Sequence, residues 1–245
     1  MAHKEYIRHV AHSKMAVLML HGIIGTPDHF KPFLPLIPGD FSIYNILLDG
    51  HGQTIQEFNH SSMQKWKDQV QDRLDYIFAH HEKVMIVAHS MGTLFAIDAA
   101  IRYPDRVVQL FCHGIPMVVH VPAATHVGAW RVILGKVKPG TMSERMRNDT
   151  SIRMTRRLWQ YLPAAPRYIE LLMEIRRVRA LLPQLTVPCR SYLGATDELV
   201  SLKSNKYLEN HPSITHTVLP LSGHFCFHER ELPQVQAEFP KLISK

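Results

Sequence analysis

Apolar residues fall into two rhythms along this chain. Residues 16–20 form an unbroken apolar run that stops at His21-Gly22, and residues 42–48 form a second that stops at Asp49-Gly50. Runs of this length without polar alternation predict strands covered on both faces, the pattern of a parallel sheet flanked by helices. Residues 83–88 (KVMIVA), 107–112, 187–193 and 215–219 repeat the strand signal, and residues 5–10 form a candidate edge strand. Between the strands the period lengthens. Met63, Trp66, Val70, Leu74 and Ile77 recur every three or four residues, behind Ser61 or Ser62 as a cap, and predict a helix over 61–80. Further helices are predicted over 91–103, ended by Pro104, over about 201–209 and over 233–242. Strand and helix alternating in this way predict right-handed crossovers and a doubly covered sheet.

The alternation breaks off between residues 115 and 185. That segment carries arginine-rich helical stretches over about 141–161 and 166–182, separated by Pro163-Ala164-Ala165-Pro166. In the second, Ile169, Leu172, Met173, Ile175, Val178 and Leu182 stand against Arg176, Arg177 and Arg179, so the helix is amphipathic. Its apolar face is expected to lie on the top of the sheet as a lid. The organisation expected is a core of residues 1–114 and 186–245, with a helical lid of 115–185 inserted between strands.

Composition and charge narrow the class. At 245 residues with 46% hydrophobic and 20% charged positions, the chain builds a folded domain. Its net charge of +7 is concentrated: between His113 and Pro183 twelve Lys or Arg face four acids, a net +8. A solvated helical face accounts for this, as does an anionic ligand or weak peripheral contact with an anionic membrane. No nucleic-acid motif accompanies the charge, so a nucleic-acid partner is not expected. Three cysteines without zinc-site spacing and 17 scattered histidines predict reduced thiols and no metal site. The N-terminal apolar run is short for a signal peptide, and no stretch approaches a spanning length, so the expected location is cytoplasmic with no transmembrane segment.

Chemistry concentrates at the ends of the strands. Ala88-His89-Ser90-Met91-Gly92 lies where an apolar strand meets a helix, a setting that lifts a serine hydroxyl out of the sheet, with Ala88 in the first glycine position of the Gly-x-Ser-x-Gly pattern. His21-Gly22-Ile23 follows the first core strand. The N–H groups of Ile23 and Met91 can together face a developing oxyanion. Asp197 follows a strand, with Glu198 beside it as a rival, and His224 follows the last strand, so the order is serine, acid, histidine. A hydroxyl needs an imidazole to take its proton, and the imidazole needs a carboxylate to hold its tautomer. The glycine-rich loop Asp49-Gly50-His51-Gly52 lacks the form of a phosphate loop and is expected to shape the rim of the site.

With these residues, the chain resembles the α/β-hydrolase superfamily over nearly its whole length, and within it the small serine carboxylesterases and monoacylglycerol lipases with compact helical lids. The resemblance implies an α/β-hydrolase fold, with a mostly parallel eight-stranded sheet covered by helices and an inserted lid, and no cofactor. It implies Ser90 as nucleophile, Asp197 and His224 as its partners, and Ile23 and Met91 as the oxyanion hole. The expected reaction is cleavage of a carboxylic ester, a short to medium acyl ester or a monoacylglycerol, through an acyl-enzyme. Met117, Val118, Val119, Val121, Trp130, Leu158, Trp159, Tyr161 and Leu162 make the lid apolar, and from this set Met117, Trp130 and Trp159 are the candidate substrate-binding residues for an apolar acyl group. Two other readings stay open. One is a carbon–carbon bond hydrolase or lyase acting on an acidic substrate held by lid arginines. The other is a binding or sensor protein of the same fold with slow turnover. The oligomeric state is open.

Overall fold

The computed structural model describes residues 3–120 and 122–243. Seven strands form one sheet: β1 (Tyr6–Arg8), β2 (Met15–Leu20), β3 (Ser42–Asn45), β4 (Lys83–His89), β5 (Val107–His113), β6 (Cys189–Gly194) and β7 (Ile214–Leu219). They lie in the order β1-β3-β2-β4-β5-β6-β7, with β1 antiparallel to β3 and every other pair parallel. Among the described residues the sheet therefore has one strand fewer than the eight expected, while its mostly parallel form agrees.

Alternate residues of the inner strands serve two separate cores. Ala16, Leu18 and Leu20 of β2 point into one cluster and Val17 and Met19 into the other. The larger cluster is covered by α1 (Ile55–Asn59), α2 (Met63–His80) and α3 (Met91–Arg102), with Trp66 fully buried. Ser62 caps α2 by accepting from the Lys65 N–H, and all five apolar residues of the expected periodic stripe are buried.

The segment between β5 and β6 is a helical insertion resembling a lid. It contains α4 (Ala123–Ile133), α5 (Met142–Asp149), a 3-10 turn over Leu158–Ala164 and α6 (Ala165–Leu181). Val121 lies outside the described residues. The single helix expected over 141–161 is broken at Thr150. There the chain becomes extended because Ser151 N–H donates to Ile24 O at 2.9 Å and Arg153 N–H to Gln53 O at 2.8 Å, bonds that a helix would forgo. α6 departs from expectation in a second way. Ile175, Val178 and Leu182 are buried against the core, but Ile169, Leu172 and Met173 face outward. The helix is bolted down by charges instead: buried Glu174 pairs with Arg177 and Lys67, and Arg177 reaches Asp98 of α3 at 2.6 Å.

After β6, α7 (Asn205–Leu208) leads into β7. The closing helix α8 (Leu232–Ile243) then covers the second core with Val235, Phe239 and Ile243. Among the described residues, no helix is long and apolar enough to cross a membrane.

Candidate active site

The parallel strands all present their carboxyl ends to one edge of the sheet, the edge where ligands bind in open α/β folds. β4 ends there at His89 and α3 begins at Met91, so Ser90 alone makes the turn, with φ 50° and ψ −121°. An L-residue rarely takes this conformation, and the turn is held by Ser90 N–H donating to His113 O at 2.9 Å and the Thr93 hydroxyl donating to Ser90 O at 2.6 Å. Position 92 admits only glycine, because a Cβ there would lie 2.1 Å from Leu20 O. Ala88, in the place of the pattern's first glycine, fits as a fully buried residue.

Three side chains from three strand ends meet at this turn. The Ser90 hydroxyl lies 3.0 Å from His224 Nε2, and His224 Nδ1 lies 2.9 Å from Asp197 Oδ2. The other oxygen of Asp197 accepts the N–H groups of Leu199 and Val200 at 2.8 and 2.6 Å, so the carboxylate is fully engaged although only 7% exposed. Burial pushes the Asp197 pKa up, but the charge and hydrogen bond of His224 and the two amides outweigh it and hold the group below its ordinary value. Burial likewise opposes protonation of His224, yet the Asp197 charge and hydrogen bond hold that pKa above the ordinary histidine value. Glu198, the rival acid, does different work. Its Oε2 accepts the backbone N–H of His224 at 2.7 Å and its Oε1 faces Arg145 of α5 at 3.4 Å. One carboxylate thus touches the imidazole and the next holds the loop that carries it.

The turn over 21–25 lies directly above the serine: a Cβ on Gly22 would come within 2.8 Å of Ser90 Cβ and 3.4 Å of its Oγ. Neither the Ile23 nor the Met91 amide donates to another group among the described residues. Two buried histidines that the sequence reading did not assign to the site hold this turn. His51 Nε2 accepts the Ile24 N–H at 3.0 Å, while its Nδ1 faces Leu48 O and Asp49 O. His21 Nε2 accepts the Leu48 N–H at 3.0 Å, and its Nδ1–H donates to Gly22 O at 2.8 Å. Each is thereby fixed as a neutral tautomer. Burial lowers both pKa values, that of His51 to about 4. The signal for His51 was its place inside Asp49-Gly50-His51-Gly52, a rim loop by sequence and a prop in the structure.

Behind His224 stands a column of rings. His29 stacks on His89 with centroids 3.8 Å apart, His113 follows at 5.2 Å from His89, and Phe227 lies 4.2 Å beyond His113. His89 Nε2–H donates to His224 O at 2.9 Å, and His29 meets Asp149 of α5 at 3.1 Å. The nitrogens of His29, His89 and His113 come within 4.8 Å of one another, the one such group among the described residues. A metal ion binds in the plane of each imidazole at about 2.0–2.1 Å. These rings lie within 26° of parallel, so no point is in all three planes, and the column is stacked rings rather than a ligand cage.

A cavity of about 290 Å³ opens beside Ile24, lined chiefly by apolar groups including Ile55, Trp130, Ile152, Leu158, Tyr161 and Tyr168. Of the three candidate substrate-binding residues only Trp130 is on its wall. Met117 is fully buried in the larger core, and Trp159 is 66% exposed. Both are apolar, and periodicity could not say whether such a residue would face the core, the cavity or water.

The chain belongs to the alpha/beta hydrolase family, whose sequence profile it matches over residues 17–238. No curated protein matches it significantly in sequence. Its fold is similar to a structure described under LipS and LipT, two metagenome-derived lipolytic enzymes, at 17% identity and TM-score 0.73 over 98% of both chains. It is similar also to the monoacylglycerol lipase of Paleococcus ferrophilus, at 16% identity and TM-score 0.69 over 100% of this chain and 99% of that one. A hydrolase from Pseudomonas aeruginosa PA01 aligns at 17% identity and TM-score 0.65 over 98% of this chain and 91% of the other.

Proposed function

We propose that the protein is a serine hydrolase that cleaves carboxylic esters bearing an apolar acyl group, through an acyl-enzyme. Ser90 attacks the ester carbonyl while His224 Nε2 accepts its proton. Asp197, hydrogen-bonded to Nδ1, holds the tautomer and stabilises the imidazolium. The Ile23 and Met91 amides receive the negative charge that develops on the carbonyl oxygen. The imidazolium then protonates the departing alcohol. A water molecule, deprotonated by the same nitrogen, attacks the acyl carbon, and the tetrahedral adduct collapses to free acid and Ser90. The acyl chain lies in the cavity beside Ile24, under a lid formed by residues 115–185.

The observation that carries this reading is the continuous chain from Ser90 Oγ through His224 to Asp197, with links of 3.0 and 2.9 Å; Ile24, in the turn above Ser90, lines the apolar cavity. The lipolytic and monoacylglycerol lipase descriptions of two structural relatives support an ester as the substrate. The test is steady-state and burst hydrolysis of a chain-length series of nitrophenyl esters by the wild type and by Ser90→Ala. The expected outcome is multiple turnover that the substitution lowers by about 10⁵–10⁶ in kcat, with a preference for medium chains that fill the cavity. Absence of wild-type turnover would sink the reading, and a stoichiometric burst without turnover would replace it with a binding role.

A further inference from the structure

The outer face of the insertion carries apolar side chains that the core does not use. On α6, Ile169, Leu172, Met173 and Arg176 follow the i, i+3, i+4, i+7 spacing of one helix face, and the first three are exposed. The neighbouring 3-10 turn adds Trp159 at 66% and Leu162 at 74% exposure, and α4 adds Trp130. Singly exposed apolar residues are ordinary, but a contiguous group with two tryptophans marks an interaction surface.

The charges around this group that pair with no carboxylate share one sign. Arg131, Lys136, Lys138, Arg153, Arg157 and Arg176 are all exposed, and none pairs with a carboxylate among the described residues. They flank the apolar residues closely: Arg131 follows Trp130, Arg157 precedes the 158–164 turn, and Arg176 continues the Met173 face. Arg156 hydrogen-bonds Leu134 O at 3.1 Å, which draws the 153–157 segment against the end of α4 and brings its cations to the same side. On α5, by contrast, Arg145 meets Glu198 and Asp149 meets His29, so these two charges are paired at the site.

We propose that α4, the 158–164 turn and α6 form a docking face for an anionic lipid bilayer. Exposed tryptophan and aliphatic side chains enter the boundary between headgroups and acyl chains, and the ring of unpaired cations meets the negative headgroups. Trp130, Leu158 and Tyr168 belong both to the exposed surface and to the wall of the 290 Å³ cavity, so the cavity opens through this face. If the ester hydrolysis proposed above holds, an acyl chain passes from the bilayer to Ser90 without crossing water; the docking itself stands without it.

The test is flotation of the whole protein with vesicles of phosphatidylcholine, alone or mixed with phosphatidylglycerol, at low and high salt. Binding to the mixed vesicles is expected at least tenfold above that to neutral ones, and to weaken with salt. The double substitution Leu162→Glu, Met173→Glu should reduce it at least tenfold. Replacing Arg131, Lys136 and Lys138 together by Gln should reduce it on the order of a hundredfold, at about fivefold per cation. All variants should hydrolyse a soluble short-chain nitrophenyl ester at the wild-type rate, which also reports that they are folded. No binding to the anionic vesicles, or binding untouched by both sets of substitutions, would overturn the proposal. So would a dimer in sedimentation that the same substitutions dissociate, because a second copy would then cover the face. Turnover of the soluble ester without vesicle binding removes the docking face alone, whereas vesicle binding without any ester turnover removes the proposed function alone.

Discussion

The carboxyl edge of the sheet and the inserted helices solve opposite problems. At the edge, Ser90 is held by the His113 carbonyl, Asp197 by the Leu199 and Val200 amides and the His224 backbone by the Glu198 carboxylate, and the imidazoles of His21 and His51 are engaged in holding one five-residue turn. In the insertion, apolar and cationic side chains stand exposed with no internal partner, and the anchoring comes from a few ion pairs on α5 and α6. The difference teaches where rigidity is needed: a reacting constellation tolerates little displacement, while a surface that meets fluid partners needs only the right chemistry on the right side.

The sharpest way to break the comparison is to exchange the roles of the adjacent acids. Asp197→Asn should lower kcat by about 10⁴, because the amide cannot hold the required tautomer, whereas Glu198→Gln, at a carboxylate that meets the His224 backbone and Arg145 but not the imidazole, should cost about tenfold. Equal losses in steady-state kinetics would mean that the two carboxylates are not distinct in function.

Next in size is the response to pH. His224 must be unprotonated to act as base and its pKa is raised, so kcat/KM should climb with pH through a midpoint above 6.5. A midpoint at or below 6.5 would contradict the assigned pair. Stability should follow a different course. Burial lowers the pKa values of His21, His51, His89 and His113, that of His113 to about 3, so the unfolded chain takes up more protons than the folded one as pH falls below 6.5. The stability present above pH 6.5 is therefore lost on acidification towards pH 3. His224 acts with the opposite sign, its contribution being present below 6.5 and lost as pH rises through its raised value, but it is one group against four. Urea midpoints at pH 7.5, 6 and 4.5 should decrease in that order.

The smallest effect tests whether the two regions communicate. Arg145 of α5 is part-exposed and meets Glu198 at 3.4 Å, so Arg145→Ala should lower kcat only two- to fivefold through a looser His224 loop and leave KM unchanged. A change confined to KM would place Arg145 at the substrate instead.

Much of the edge was legible because it obeys local rules. Residues 16–20 and 84–88 are unbroken apolar runs and sit buried on both faces, and Ser90, Asp197 and His224 each follow a strand end. The insertion was less legible because distant contacts decide its form. The chain breaks at Thr150 to satisfy Ile24 O and Gln53 O, partners a hundred or more residues from Ser151 and Arg153 that no periodicity announces. In α6 the amphipathic pattern was correct, but its apolar arc is wider than the core can cover, so Ile169, Leu172 and Met173 face outward. The motifs holding His21 and His51 were placed at the site and its rim, but their role as props was not read, because a polar residue in a glycine-rich loop looks alike whether it is solvated or buried.

The backbone at Ser90 carries a further consequence. A side chain held at φ 50° and ψ −121° costs about 1–3 kcal/mol relative to a relaxed residue, a sizeable part of the 5–15 kcal/mol that typically separates a folded domain from its unfolded chain. Glycine would relieve that strain and remove the hydroxyl in one change. Under the proposed mechanism durability and reactivity are therefore opposed at this position, and thermal selection on the fold alone would drive the chain towards an inert protein.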